Sequence, residues 1–365
     1  MHKHDSIYVG EGTHKMFEEF LKEAEKNYSN VFLLADTNTR QHCLPLLAGR
    51  FRLPSSMVIL ETEPGERSKN IETCSKLWYE MAMLGADRHS LLICLGGGVT
   101  CDLGGFVASA YQRGISFIYL PTSLLAQVDA AIGGKTGVNL KNLKNYVGLF
   151  SPPDAIFIFT EFLKSLPEAE LLSGYAEVVK HALLSNEKTF RQLIKKFPDA
   201  ASISEVNDWS LVVQRSVKIK NNVVSKDPFE RGLRKVLNLG HTVGHAFESH
   251  ALKNNPQSLH HGFAVAMGLV VELHLSVQKC GFPEKLAGEI TSYILSVFPF
   301  YSFATDEIPE IAALMGFDKK NKSGNIRITL LRQPGDLITD EACSPESIEN
   351  ALAAYLKLGS GKRNI

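Results

Sequence analysis

The sequence has no excess of charge of either sign and no apolar run at its start. Lysine and arginine together number 39, and so do aspartate and glutamate. No net field therefore draws the chain to nucleic acid or to an anionic membrane, and any anion-binding site must be a local cluster of cations. The opening residues MHKHDSIYVGEG lack the apolar core of a secretion signal. We expect a cytoplasmic protein.

Paired cysteines and long uninterrupted apolar segments are also missing. The six cysteines are scattered without CxxC spacing, a pattern typical of reduced, mostly buried thiols and unfavourable for a cysteine metal site or redox pair. The most apolar stretch, 263–277, contains Glu272 and His274. This composition suits a buried amphipathic helix better than a membrane span.

A chain of 365 residues exceeds what one hydrophobic core usually serves, which predicts two domains. The first half alternates short apolar runs with amphipathic segments, as in a mainly parallel sheet covered on both faces. The predicted strands are 31–36, 57–61, 90–98, 115–121 and 155–159, and helical spacing covers 70–85 and 102–113. We predict a Rossmann-like α/β domain over residues 1–165.

The second half has apolar residues at intervals of three and four and few strand-like runs. These intervals predict helices over 167–197, 200–225, 235–252, 261–280, 283–296 and 345–358. A short strand is expected at 325–331, and the polar segment 139–154 is interpreted as the passage between the halves. We predict a mainly helical domain over residues 166–365.

A glycine-rich turn follows the third predicted strand in LLICLGGGVTCDLGGF. Glycines let backbone N–H groups approach a pyrophosphate, and the next helix offers its positive end. Cys101 occupies the third glycine position of the dinucleotide fingerprint, so an ordinary tight turn fits the segment equally well. Two further clusters favour a nucleotide: Asp129 followed by Gly133-Gly134-Lys135-Thr136, and Glu66 with Lys69. The first cluster lacks the glycine spacing of a phosphate loop.

The segment LNLGHTVGHAFESH places His241 and His245 on one helix face, with Glu248 three residues further on. From spacing alone, these three residues are candidate ligands of one metal ion. Two polar histidines stacked on a helix face fit the same spacing. A site with one carboxylate and two imidazoles would leave a metal position open for substrate oxygens.

Other polar residues of the sequence occur in glycine-rich, asparagine-rich or helical contexts. GYAEVVKH brings Glu177, Lys180 and His181 onto neighbouring helical turns, and His260-His261 opens a later apolar helix. Most lysines and arginines are solvated surface charges, but six are candidates for binding phosphate or carboxylate. They are Arg113, Lys135, Lys144, Lys180, Lys220 and Arg234.

The ordered motifs identify a family resemblance. The run GGGVTCDLGGFVASAYQRGISFIYLPTSLLAQVDAAIGGKTGVNL, followed by AEVVK, NLGHTVGHAFE and HGFAVAMG, resembles 3-dehydroquinate synthases. The resemblance extends from Asp36-Thr37-Asn38 to Asp318-Lys319-Lys320. It implies conversion of 3-deoxy-D-arabino-heptulosonate 7-phosphate to 3-dehydroquinate and phosphate in the shikimate route to chorismate and aromatic amino acids. It also implies bound NAD and a divalent metal, normally zinc with cobalt as an alternative.

The resemblance implies a metal site different from the one that spacing indicates. Its ligands are Glu177, His241 and His261, and His245 becomes a catalytic residue. The other implied catalytic residues are Glu230 as proton acceptor, Asp129 and Lys135. Implied substrate contacts are Arg113, Asp129, Lys135, Asn145, Lys180, Lys220, Arg234, Asn238 and Lys319 or Lys320. Implied NAD contacts are Asp36, Asn38, Glu66, Lys69, Gly97, Gly98, Val99, Asp102, Thr122, Ser123, Lys144, Phe162, Leu163, Lys164 and Ser165.

Departures from the family's pattern and three alternatives accompany this resemblance. Cys101 replaces a usual glycine, and Phe263 stands where a glutamate is usual, so we expect changed contacts behind His261. The alternatives are a sister cyclase making 2-deoxy-scyllo-inosose or 2-epi-5-epi-valiolone, a metal-dependent polyol dehydrogenase and a non-catalytic NAD-sensing module. Intact IGGKTGVN and Lys144-Asn145 favour the dehydroquinate reaction. The family also implies a homodimer with a small-molecule substrate and no nucleic acid or membrane partner.

Overall fold

A computed structural model describes residues 6–141, 143–254, 259–316 and 326–359. The chain forms two compact units, the first of Met1–Pro167 with Asn207–Pro228 and the second of Glu168–Val206 with Phe229–Ile365. The first break lies two residues beyond the predicted boundary at 165. The segment Asn207–Pro228, which the prediction placed in the helical domain, belongs to the first unit instead.

The first unit is built on a six-stranded parallel sheet with the order β1-β8-β5-β4-β2-β3. Its strands are β1 (Ser6–Val9), β2 (Val31–Asp36), β3 (Val58–Thr62), β4 (Leu91–Gly96), β5 (Ser116–Pro121) and β8 (Ala155–Ile158), and a separate hairpin comprises β6 (Lys135–Leu140) and β7 (Leu143–Phe150). Its first helices are α1 (Thr13–Asn27), α2 (Thr37–His42), α3 (Leu44–Arg50), α4 (Ile71–Met83) and α5 (Gly98–Ala110). The predicted α/β class and all five predicted strands of the first half are confirmed.

The sheet brings the ends of its central strands to one edge. β4 is buried along its whole length and pairs with β5 so that Gly96 lies opposite Pro121. On its other side, β4 pairs with β2, which ends at Asp36. Parallel strands present their carboxyl ends together, and ligands of such sheets bind beyond that edge. The glycine-rich turn and the polar residues after β2 and β5 therefore lie beside one another.

The hairpin of β6 and β7 corrects the interpretation of 139–154 as a connecting passage. Val138 pairs with Val147 and Thr136 with Leu149 in an antiparallel ladder. β7 is largely exposed and contains lysine and asparagine, so it lacks the buried apolar pattern by which strands are predicted. Backbone pairing between two neighbouring segments stabilises it instead.

The remaining part of the chain is mainly helical. Its helices are α6 (Glu168–Ser185), α7 (Glu187–Lys196), α8 (Ala200–Ser204), α9 (Ser210–Val224), α10 (His241–Asn254), α11 (His261–Cys280), α12 (Glu284–Val297), α13 (Ile308–Gly316) and α14 (Pro345–Lys357). The predicted strand at 325–331 corresponds to β9 (Ile326–Gln333), which pairs antiparallel with β10 (Asp336–Cys343). The predictions missed β10 and α13.

The helix α11 forms the centre of the second unit. It is the one helix of the described residues long and apolar enough to cross a membrane, but 72% of its apolar window is buried inside the protein. Two glycines let its neighbours approach closely. A Cβ on Gly262 would lie 1.8 Å from the Ser173 carbonyl oxygen of α6, and one on Gly268 would lie 2.1 Å from the Gly240 carbonyl oxygen before α10. These contacts hold α6 and α10 against α11.

The helix α9 explains why Asn207–Pro228 returns to the first unit. Its buried face includes Val213, Val217 and Lys220, and Lys220 Nζ lies 2.7 Å from the Asp129 carboxylate of the first unit. Helical periodicity identifies a buried face but not the body it packs against. The predicted helix 200–225 is divided into α8 and α9, and α9 lies in the first unit.

Candidate active site

Three helices of the second unit bring a carboxylate and two imidazoles together. Glu177 of α6 is fully buried, and its Oε1 lies 3.5 Å from His241 Nε2 and 3.7 Å from His261 Nε2. Four ligands at about 2.1 Å around a tetrahedral zinc lie about 3.4 Å apart. The ligand atoms of the three residues all lie within 4.8 Å of one another, so the group fits one divalent ion.

Hydrogen bonds orient both imidazoles toward Glu177. His241 Nδ1 lies 3.1 Å from the Leu239 carbonyl oxygen, and His261 Nδ1 lies 3.3 Å from Glu248 Oε2. Each ring therefore turns its Nε2 toward the Glu177 carboxylate. Metal-binding histidines usually donate their second nitrogen to a carbonyl or carboxylate in this way.

Burial and neighbouring charges shift the pKa of each of the three residues. Burial would raise the pKa of Glu177, but the adjacent Lys180, His241 and His261 hold it well below its usual value. Burial and the nearby Lys180 ammonium depress the pKa of His241. Burial also works to lower the pKa of His261, but the carboxylates of Glu248 and Glu177 raise it to about 10. The two carboxylates beside His261 thus favour positive charge at this point.

The set indicated by spacing alone is not gathered within the described residues. Instead, His245 and Glu248 form a second possible metal group with His261. Glu248 approaches the His261 nitrogen that faces away from Glu177. Glu248 therefore lies behind the His261 ring, and His245 is exposed.

The replacement of a usual glutamate by Phe263 is accommodated next to this group. Phe263 is buried, with its ring centroid 5.2 Å from that of His260. The carboxylate behind His261 comes from Glu248 of α10. The expected change in the contacts behind His261 therefore does not leave that ring without a carboxylate neighbour.

The first unit places the glycine turn at the start of α5. Gly97 caps this helix, and Thr122 N–H donates to the Gly96 carbonyl at 2.9 Å. Asp36 caps α2 and also accepts from the Thr100 hydroxyl at 3.3 Å. A helix start that follows a glycine turn, with a carboxylate beside it, is typical of a dinucleotide site. Cys101 is fully buried beneath the turn.

Lys69 connects three segments of the predicted nucleotide site. Its buried Nζ donates at 2.5 Å to Asp102 of α5 and at 2.5 Å to Asn145 of β7. Asn139 of β6 donates its side-chain N–H to Glu66 at 2.8 Å and its backbone N–H to the Lys69 carbonyl at 2.9 Å. Burial raises the pKa of Asp102 despite the opposing Lys69 ammonium. Asn139, the last residue of the IGGKTGVN motif, belongs to this network although no role of its own was predicted for it.

Replacing Lys69 with methionine should lower the free energy of unfolding by about 3 kcal/mol, because Asp102 would lose its buried ionic partner. The matched Lys22→Met change removes a pair with Glu18 whose lysine side chain is 65% exposed, and it should cost at most about 1 kcal/mol. Urea unfolding of both variants measures the difference. If both variants lose the same free energy of unfolding, the buried Lys69–Asp102 pair contributes no more to stability than an exposed pair.

Comparison with known proteins decides the family. A model of the N-terminal region of 3-dehydroquinate synthase matches residues 59–173, and a model of its C-terminal region matches residues 174–321. The chain belongs to the 3-dehydroquinate synthase family. The 3-dehydroquinate synthase of Parabacteroides distasonis is 40% identical over 341 residues, which cover 93% of this chain and 94% of that protein.

Solved structures of sugar phosphate cyclases share the fold of this member of the 3-dehydroquinate synthase family. A 2-deoxy-scyllo-inosose synthase complexed with carbaglucose-6-phosphate, NAD+ and Co2+ has a TM-score of 0.83 at 22% identity, with 95% of each chain covered. The 2-epi-5-epi-valiolone synthase of Streptomyces hygroscopicus, with NAD+ and Zn2+ bound, has a TM-score of 0.82 at 23% identity, with 97% of each chain covered.

The other residues implied by the 3-dehydroquinate synthase resemblance divide between the units. In the first unit, Asp129 lies on a π-helical turn, Ala126–Ala130, and its carboxylate and carbonyl both meet Lys220 Nζ. Such turns are frequent at functional sites. Lys135 begins β6 and is exposed. Arg113 has a φ of 72° in a tight turn before Gly114.

In the second unit, the implied residues gather before α10. Asn238 donates to Glu230 at 2.9 Å, and Glu230 has a φ of 57°. Lys180 donates to the Leu237 carbonyl at 3.0 Å and pairs with Glu177. Arg234 is buried in the same segment. Lys319 and Lys320 lie outside the described residues.

The implied nucleotide contacts after the last sheet strand lie in the first unit. Phe162, Leu163, Lys164 and Ser165 form most of a short helical turn, Thr160–Ser165, directly after β8. Phe162 and Leu163 are buried, whereas Lys164 and Ser165 are exposed. Ser123 follows β5 next to the glycine turn, while Asn38 lies on α2 and Lys144 on β7. The remaining contacts, Gly98 and Val99, form the first turn of α5.

Proposed function

We propose that this chain catalyses the 3-dehydroquinate synthase reaction with NAD and one divalent metal, in the cytoplasm. The substrate is 3-deoxy-D-arabino-heptulosonate 7-phosphate, and the products are 3-dehydroquinate and phosphate, so the enzyme is a phosphate-eliminating lyase. The convergence of Glu177, His241 and His261 carries the proposal, because it completes a metal site in a chain of this family.

Glu177 Oε1, His241 Nε2 and His261 Nε2 would hold the metal, most simply zinc. When bound, it would supply Lewis acidity that makes a substrate hydroxyl easier to oxidise. Two neighbouring residues keep these ligands in place, since Glu248 holds the far side of His261 and Lys180 balances the Glu177 charge. Three protein ligands leave a position for substrate oxygens.

The first unit would bind NAD at the glycine turn. The N–H groups at the start of α5 would bind the pyrophosphate, and Asp36 would accept from ribose hydroxyls. NAD held there would supply reversible hydride transfer. The network of Lys69, Asp102 and Asn145 fixes the loop, α5 and hairpin that surround this turn.

Cations and proton-transfer groups would serve the remaining chemistry. Arg113, Lys135 and Arg234 are the cations that we assign to the substrate phosphate, as the family resemblance implies, where they would lower the barrier to its elimination. Glu230 and His245 would accept and return protons as the ring opens and the new carbocycle closes. Holding both ends of the opened substrate gives the final aldol step an entropic advantage.

The sequence relatives support this reaction over that of a sister cyclase. The fold is common to both groups, since cyclases with other products have TM-scores of 0.83 and 0.82. Those two are only 22% and 23% identical, whereas a 3-dehydroquinate synthase is 40% identical over nearly the whole chain. A polyol dehydrogenase would share cofactor and metal but would release reduced cofactor.

The deciding assay combines the purified protein with the heptulosonate phosphate, NAD and Zn2+. We expect equal amounts of phosphate and 3-dehydroquinate, no accumulation of NADH, and loss of activity after chelation with recovery on adding metal. Accumulating NADH without phosphate would identify a dehydrogenase. Metal-loaded protein that releases no phosphate would contradict the proposal.

We also propose a homodimer, as the family resemblance implies. The hairpin of β6 and β7 leaves several large apolar side chains exposed, which is typical of an association surface. They are Leu140, Leu143, Tyr146, Leu149 and Phe150. Light scattering should give twice the chain mass of 40.3 kDa, and a single-chain mass at micromolar concentration would refute this.

A further inference from the structure

The peptide group between Leu239 and Gly240 is hydrogen-bonded on both sides. Its carbonyl oxygen lies 3.1 Å from His241 Nδ1. Its N–H donates to Glu272 Oε2 at 2.5 Å. One peptide therefore links a carboxylate of α11 to the imidazole of a proposed metal ligand.

We propose that Glu272 is a positioning residue of the metal site. It would act through this peptide by fixing the carbonyl to which His241 Nδ1–H donates, which leaves Nε2 directed at Glu177. A carbonyl only accepts hydrogen bonds, so Nδ1 must carry the proton. A carboxylate on the N–H side polarises the peptide and strengthens its carbonyl as an acceptor. The inference rests on the metal site proposed above.

The surroundings of Glu272 hold this link rigidly. Glu272 is fully buried, and its second oxygen accepts from Val243 N–H at 3.4 Å, so both oxygens face the start of α10. Gly240 has a φ of +80°, and a Cβ there would lie 2.9 Å from the Val265 carbonyl oxygen. The turn before His241 is thus pressed against α11. A charged acceptor at a helix start is also favoured by the helix dipole.

Each of the two imidazoles then has a carboxylate behind it, one in direct contact and one acting through a peptide group. His261 has the Glu248 carboxylate directly behind it at 3.3 Å. His241 has a carboxylate behind it with a peptide in between. The alternative is that Glu272 only caps α10, in which case it contributes to stability and not to metal affinity.

The substitution Glu272→Gln separates these roles, because glutamine keeps the shape and one acceptor oxygen but removes the charge. We expect the zinc affinity, measured by competition with a chromogenic chelator, to fall about 10- to 100-fold, as for other changes behind metal-binding histidines. The absorption bands of the Co2+-loaded variant should also shift. Circular dichroism in chelator checks that the variant is folded.

Ser276→Ala is the matched control on the same helix. Ser276 is fully buried, donates to the Glu272 carbonyl oxygen at 2.7 Å and accepts from Leu331 N–H at 3.0 Å. Removing the Ser276 hydroxyl should lower the unfolding temperature. The zinc affinity should stay within about threefold of the parent value, a smaller change than we expect for a residue behind a metal-binding histidine. A Glu272→Gln protein that unfolds earlier but binds zinc like the parent would overturn the proposal.

A measurement on the parent protein covers the case in which Glu272→Gln does not fold. With 15N-labelled histidine, NMR of the metal-free protein should show His241 with its proton on Nδ1. A proton on Nε2 instead would also overturn the proposal. If the parent protein binds no Zn2+ at all, the proposed function fails, and this result is distinct from an intact zinc site that ignores Glu272.

Discussion

Replacing Glu177 with glutamine should lower kcat by about three orders of magnitude and release the bound metal from the purified protein. Glu177 is the one carboxylate among the three proposed ligands, and it is fully buried between two imidazoles. Lewis-acid catalysis is worth several kcal/mol, and each 1.36 kcal/mol corresponds to a factor of about ten in rate. Metal content by elemental analysis and turnover by phosphate release measure the two effects.

Glutamine is preferable to alanine because Lys180 is buried against Glu177. Alanine would leave a cavity beside that buried ammonium, and the resulting instability would obscure the loss of the metal. Glu170→Gln is the control, since Glu170 lies on the same helix, faces His260 at 3.5 Å and is 47% exposed. It should change neither metal content nor turnover. A Glu177→Gln enzyme with parental metal content and activity would refute the ligand assignment.

Residue spacing in the sequence predicts only part of the metal site. The four-residue interval of His241 and His245 correctly predicts one helix face, and both lie on α10. It cannot show that Glu177 of α6 and His261 of α11 approach the same point, because that depends on how three helices pack. The close contacts at Gly262 and Gly268 decide this packing. Only the ordered motifs of the family indicated the set that the structure gathers.

Some elements of the fold can likewise be predicted from the local sequence, whereas others depend on contacts between separate segments. The central strands of the sheet are predictable because they are buried on both faces and form continuous apolar runs, as in β4. The partly exposed edge strand β1 was not predicted. The strand β7 escapes prediction because it is exposed and its pairing with β6 provides the order. For α9, the sequence predicts the apolar face, whereas the ion pair of Lys220 with Asp129 reveals the unit to which it belongs.

The hydrogen-bond partners of Glu272 could not be predicted from the sequence. In the sequence, this glutamate stands out only as a charge within an apolar helix, and the structure confirms that the helix is buried. Its partners are backbone N–H groups of Gly240 and Val243. Since every residue except proline has such a group, no residue pattern marks a backbone partner in the sequence. Contacts of this kind become visible only in the folded chain.

Replacing His245 with alanine should lower kcat by about two to four orders of magnitude, the usual worth of a general acid or base, and leave the metal content unchanged. His245 lies on the same face as His241, with ring centroids 5.5 Å apart, but it is exposed. Its position outside the Glu177 group allows it to meet substrate. Turnover and metal content, measured on the same preparation, give the result.

The experiment is decisive because the structure offers His245 a second role. His245, Glu248 and His261 form an alternative group for a cation, and a metal held there would be lost in His245→Ala and retained in Glu177→Gln. Ser249→Ala controls for disturbance of the helix, since the Ser249 hydroxyl donates to the His245 carbonyl at 2.8 Å; it should leave both readouts unchanged. Opposite behaviour of the two site variants therefore assigns the ion to one group, because His261 is common to both and cannot discriminate between them.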